Sequence, residues 1–399
     1  NVTATTTFNF ANLGGISTGT YHLFSGYAGS LSATSFGFLS APTTFSGLHF
    51  SLLNHSGLLD LAVTTIAPNN LLWTGSNGSA WDTTTANWTG DAFTFTNTVS
   101  NVTFDNTSLT TNITVTSAGV QPQNMTVNND PAHNYTFSGG AISSSGSLTK
   151  TGLGTLAFAN SVNFLGGVTV NAGTLALNGG AIANSVFANP GSVVSGSGTI
   201  TGTLTMTTGI LQPGGNGSVG TLMFSNTMYL NGGLVRMDIN TLSNSSSATN
   251  DHIDFSGLSP GPVVSAQQII LFNLANTLTT GGSFKLFENL SQAMDPTSVN
   301  LLRFTSVPGF VISRVSNPTS LDIFLTRSSG TILSWQGTIN GTWNTGALAG
   351  TQNFLNVANS TQTGYSNLRH DDVLFGDISS TSQTINVVGN LSPNSVTFS

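Results

Sequence analysis

The 399 residues contain no cysteine. That excludes a small disulfide-stapled module and any zinc site built on thiolates. Charge is almost as scarce: charged residues make up 5% of the chain, against about 25% in an ordinary soluble domain. Lys and Arg together number 7, and none precedes Lys150. A nucleic-acid-binding surface needs clustered cations, so that class of function is excluded. Trypsin has no site in the first third of the chain for the same reason. No run of about 18 apolar residues is present to span a bilayer as a helix. Residues 146–220 have nowhere the 3.6-residue period of a helix. The sequence opens at Asn1 with neither a basic nor an apolar leader region, so any signal peptide is expected to have been removed or to lie outside it.

Glycine, Ser, Thr and Asn fill the space that charges leave. With a net charge of −7 and 38% apolar residues, the chain is expected to fold rather than stay disordered. Its organising stretch is residues 146–220, where short alternating runs such as Thr155-Leu156-Ala157-Phe158 and Thr174-Leu175-Ala176-Leu177 are separated by Gly, Asn and Ser. Alternation over three to five residues marks half-buried strands, and the Gly/Asn clusters mark bends. Strands this short gain stability by stacking coil on coil, which is the logic of a parallel β-solenoid.

The chain also echoes itself. Trp73 and Trp81 recur as Trp335 and Trp343, each 262 residues later. Asp60, within Leu-Asp-Leu, recurs as Asp322 within Leu-Asp-Ile. This register divides the chain into a β tail (1–72), a Trp-containing β head (73–145), a solenoid core (146–262), a second tail (263–334) and the head of a following module (335–399). The last residues match the point just before the core begins. Either the sequence is a window from a longer array, or a neighbouring subunit is expected to cover its open ladder.

Residues 148–178, LTKTGLGTLAFANSVNFLGGVTVNAGTLALN, resemble the autotransporter-associated β-strand repeat of large secreted bacterial surface proteins. Lys150, Gly152, Gly154, Thr155, Leu156, Gly166, Gly167, Val170, Gly173, Thr174 and Leu175 stand where that motif expects them. The resemblance covers about thirty residues closely, with looser similarity over about 110. It implies a right-handed parallel β-helix, secretion, and a structural or adhesive role, and it carries no catalytic residue. The family's C-terminal membrane barrel has no counterpart in this sequence.

The search for chemistry returns little. Acids total 14, and two groupings are tight: Asp251 with Asp254, and Asp371 with Asp372 beside His370. Both read as solvated turns, with a weak Ca²⁺ site as the alternative at Asp251/Asp254. Asp60 and Asp322 read as exposed strand positions or local caps, with a functional site as the lesser alternative. His22, His49, His55, His133, His252 and His370 show no metal-ligand spacing. All five tryptophans lie in the head segments and read as core packing, with stacking on a sugar or partner as the alternative. Asn-x-Ser/Thr triplets such as Asn87-Trp88-Thr89 and Asn134-Tyr135-Thr136 leave glycosylation open.

The expectation is therefore an all-β, non-catalytic protein, secreted or displayed at the cell surface, with no catalytic, cofactor or metal residues. It would self-associate end to end into a filament, sheath or stalk, or form one covalent tandem array. A monomeric rod-like adhesin for a cell surface or glycan is the alternative, and a polysaccharide-degrading β-helix is a weaker one.

Overall fold

The computed structural model describes residues 6–8, 17–26, 36–38, 48–55, 57–65, 67–241, 249–256, 259, 261–274, 282–307, 310–327, 330–345, 352–367, 371–376 and 384–398. The chain is all-β, with one six-residue helix, Pro296–Leu301, among the described residues. It divides into two compact units, Asn1–Gly209 and Ile210–Ser399.

In the first unit, strands one pass of chain apart pair in parallel. Leu71, Val102, Met125, Leu148, Val168, Val186 and Leu204 form one column, each in register with the next. None of the seven is more than 2% exposed. From Val168 to Val186 to Leu204 each step is 18 residues. Two positions further along, a second column runs Phe104, Val127, Lys150, Val170, Ala188, Met206. Between them lies an outward row, Thr103, Thr126, Thr149, Thr169, Phe187 and Thr205. The period-2 alternation of a strand thus sorts apolar residues inward and threonines outward. Two further columns complete the core: Tyr135, Leu156, Leu175, Val194 and Ile142, Val162, Ile182, Ile200. Burying each such side chain contributes about 1.5–3 kcal/mol.

Asparagines extend the ladder sideways. Asn101 Nδ2 donates to Asn70 Oδ1 at 3.1 Å, and Asn124 Nδ2 donates to Asn101 Oδ1 at 3.0 Å. Bends are tight where the motif places glycine. Gly152 and Gly173 have φ of +70° and +71°, and a Cβ on either would lie 2.4 Å from a carbonyl oxygen, of Asn129 and Gly154 respectively. The same unit carries an antiparallel sheet of Gly19–Ser25, Leu58–Thr65 and Leu48–His55.

In the second unit, Leu211, Val235, Ile270 and Phe304 are successive parallel partners. Gly282–Glu288, Ser320–Arg327 and Phe310–Asn317 form an antiparallel sheet. Its register slips between Lys285 and Phe287, as that of the first unit's sheet slips between His22 and Phe24. Strands Ile332–Trp335, Asp372–Phe375 and Ser395–Phe398 pair in parallel over a core of Leu333, Trp335, Trp343, Phe354, Tyr365 and Val373.

Gly173 and Gly179 separate backbone strain from steric closure, because Gly179 has φ +86° with nothing within 4 Å of an added Cβ. Gly179→Ala is expected to cost about 1 kcal/mol from the left-handed backbone alone. Gly173→Ala is expected to cost about 3 kcal/mol or more, since a neighbouring strand must also move. Urea unfolding of both variants checks this; equal losses would rule out the close approach as the reason for glycine at 173.

Candidate functional site

The tryptophans lie inside. Trp73 and Trp81 are 0% exposed, Trp88 and Trp335 2%, and Trp343 7%. Trp73 and Trp88 face each other across an antiparallel pair, edge to face, at 5.0 Å and 77°. Trp335 and Phe354 repeat that contact at 5.0 Å and 78°. The expectation of core packing holds, and a sugar platform on these rings does not.

Sequence reading missed the residue that closes both heads. Asn87 and Asn353 are 0% exposed. Asn87 Oδ1 accepts the Asn77 amide at 2.7 Å while its Nδ2 donates to Ala80 O at 2.9 Å. Asn353 Oδ1 accepts the Ile339 amide at 3.0 Å while its Nδ2 donates to Thr342 O at 2.8 Å. The signal was present as an Asn directly before Trp88 and before Phe354. Because Asn87 is buried and its amide engaged, the Asn87-Trp88-Thr89 triplet has no accessible nitrogen to carry a glycan in the folded chain.

Asp251 and Asp371 do not behave as solvated turns, whereas Asp254 does. Asp251 is 1% exposed and accepts backbone N–H bonds from Gly220 at 2.9 Å and Asp238 at 2.7 Å. Asp254, on the outward side of the strand alternation, accepts from Ser256 N and Asn289 Nδ2. The two carboxylates therefore share no face, and among the described residues no group of three or more His, Cys, Asp or Glu could hold a metal ion. Asp371 is 0% exposed and accepts the Thr331 and Ser366 amides at 3.3 and 3.2 Å. Asp372 stands in register with Ser395 and accepts from Ser395 Oγ at 2.6 Å and Asn394 Nδ2 at 2.7 Å. His370 lies outside the described residues.

Asp60 and Asp322, read from alternation as exposed, are 5% and 9% exposed. Each lies in the central strand of its three-stranded antiparallel sheet, flanked by a strand on either side, and successive residues of that strand are buried, so alternation alone misassigned it. His22 Nδ1 meets Asp60 Oδ1 at 2.6 Å, and Asn317 Nδ2 donates to Asp322 Oδ2 at 2.9 Å. His133 pairs with Asp130 at 2.8 Å and His252 with Glu288 at 2.5 Å. His55 is exposed on its strand, and His49 has a described backbone only.

A recess of about 490 Å³ opens in the first unit beside Thr98, Gln121, Gln123, Ser143, Ser145 and Asn163. Gln123 Oε1 is buried there without a partner. Its lining holds hydroxyls and amides and no titratable group, so it can hydrogen-bond a neutral surface but cannot transfer protons.

Lys150 is the motif residue with the strongest electrostatic consequence. It is 0% exposed within an apolar column. Its Nζ donates to the carbonyls of Thr151, Gly152 and Ala172 at 2.5, 2.7 and 3.4 Å. Burial pushes the amine down from 10.5 to about 8. For Asp251, burial pushes the carboxyl up from 3.8 to about 7, with the Asp238 carboxylate adding to it against the amide donors and His252.

The folded state holds the Asp251 proton more tightly than the unfolded chain does. That contribution is complete below about pH 4 and is lost as pH rises through about 7. The folded state holds the Lys150 proton less tightly, so stability is regained as pH rises from about 8 towards 10.5. Melting temperature against pH checks both. Lys150→Met is expected to flatten the alkaline rise, and Asp251→Ala to cost about 2–4 kcal/mol by orphaning two buried amides. A flat profile for the native chain would refute both assignments.

Among the described residues no helix is long and apolar enough to cross a membrane. Compared with known proteins, the sequence matches no protein-family model and no curated protein.

Proposed function

We propose that this chain is a non-catalytic structural protein, secreted or displayed at a cell surface, whose modules are right-handed parallel β-helices. Its polymers would run end to end as a filament, sheath or stalk. The observation that carries this reading is the set of in-register columns in the first unit, where Leu71 to Leu204 stack without interruption. A ladder of this kind resists extension through hydrogen bonds loaded in parallel, and its span grows with each added pass.

Other features support the reading. The paired geometries at Trp73/Trp88 and Trp335/Phe354, and the two bulged sheets, are what a tandem module would give. Lys150, Gly152 and Gly173 have bend-closing roles that suit a member of the autotransporter-associated repeat family. An outer face of Thr and Asn with few cations suits life among extracellular proteases. Ser395–Phe398 offers an assembly edge: all four residues are exposed, with Val396 at 41% and Phe398 at 77%.

Negative-stain electron microscopy and sedimentation at rising protein concentration test the proposal. Linear polymers are expected, and Val396→Lys is expected to shorten them without lowering the melting temperature. Isolated rods at every concentration would sink the polymer reading in favour of an adhesin. Chain cleavage of a polysaccharide, lost in Asp251→Asn, would sink the non-catalytic one.

A further inference from the structure

The chain has 7 basic residues against 14 acids, yet two arginines of the second unit share one recess. The recess has a volume of about 380 Å³, and Arg303, Arg314, Phe304, Ser306, Phe310 and Ile312 line it. Arg303 Nη1 donates to the carbonyls of Asn300 at 2.5 Å and Leu302 at 3.2 Å. Arg314 Nη1 donates to the same Leu302 carbonyl at 3.2 Å, and its Nη2 to Asn300 Oδ1 at 3.3 Å. One carbonyl oxygen thus draws two guanidiniums together.

Their acceptors are neutral. The ion pairs at His22, His133 and His252 are made with Asp60, Asp130 and Glu288, and neither Arg303 nor Arg314 takes part in them. Two like charges are therefore held side by side without a carboxylate, while several fork N–H groups remain directed elsewhere than at protein acceptors. In register with Arg303 stands Ile269, 47% exposed, so this strand face opens to solvent. The Arg314 guanidinium carbon lies 5.8 Å from the centre of the Phe304 ring. Phe304 in turn stacks on Phe272 at 5.9 Å and 15°, which holds its plane.

We infer that this recess binds the carboxylate of an acidic sugar. Paired guanidinium forks match a carboxylate in geometry and charge. Phe310 and Ile312 supply apolar surface for the C–H face of a sugar ring, which a small inorganic anion would leave uncovered. Ser306 adds a hydroxyl for a ring substituent. A neutral sugar would leave both guanidiniums uncompensated, so selectivity follows from the same residues. The inference does not depend on polymerisation, and failure of either leaves the other standing.

Titration calorimetry of the full chain with trigalacturonate, its methyl ester and sodium sulfate tests it. The acid oligomer is expected to bind, to weaken as salt rises, and to exceed the methyl ester by about tenfold or more. Arg303→Gln, at an exposed position, is expected to weaken the acid oligomer about tenfold with an unchanged melting temperature. Ile312→Ala, which removes apolar surface offered to the sugar ring, is expected to weaken it while leaving sulfate unaffected. Equal binding of acid and ester, sulfate binding as tight as the oligomer, or indifference to Arg303→Gln would each overturn the inference. If Arg314→Gln fails to fold, Arg303→Gln decides alone.

Discussion

The structure depends on register. In a parallel ladder every inward side chain rests on the equivalent side chain of the next pass, so a column tolerates only residues that fill the same space at the same height. Leu148 sits between Met125 and Val168, and Val170 between Lys150 and Ala188. Lys150 obeys the rule in an unusual way: its stem fills the column while its amine closes the bend carbonyls beyond the strand's end. The bend, the column and the glycines at 152 and 173 are one device. Removing any part leaves either a void or buried carbonyls without donors.

A chain with so few charges must satisfy its backbone by other means. Threonine rows and the Asn70–Asn101–Asn124 ladder cover the outside, where hydroxyls and amides meet both water and each other. Several of the acids are drawn inward as acceptors for backbone amides. Asp251 and Asp371 each accept two such bonds, and Asn87 and Asn353 do equivalent work with neutral groups. Carboxylates used this way are unavailable for chemistry at a surface, which accords with a mechanical role. The arginines at 303 and 314 are held instead by neutral oxygens.

Much of this was legible. Alternation located the strands of residues 146–220, and the scarcity of charge and cysteine narrowed the chemistry before any contact was known. The tryptophans, read as core packing, are buried. Asp60 and Asp322 were misread because period-2 logic assumes one wet face. Asp60 and Asp322 sit in the central strands of their sheets, and Asp251 and Asp371 turn inward toward amides contributed by distant segments. Asn87 was overlooked because one asparagine does not stand out in an Asn-rich chain, although an Asn precedes both Trp88 and Phe354.

What the sequence determined by itself is therefore the local grammar: all-β character, strand spacing, bend positions and the residue types that can form columns. These rest on side-chain volume and backbone freedom, which are properties of short segments. Only the tertiary structure decided which polar groups are paired and which are left open. Asp251 reaches Gly220 across 31 residues, Asp60 meets His22 across 38, and one carbonyl gathers two guanidiniums from different strands. Those pairings depend on which passes of the chain come to lie side by side, and no short stretch of sequence contains that information.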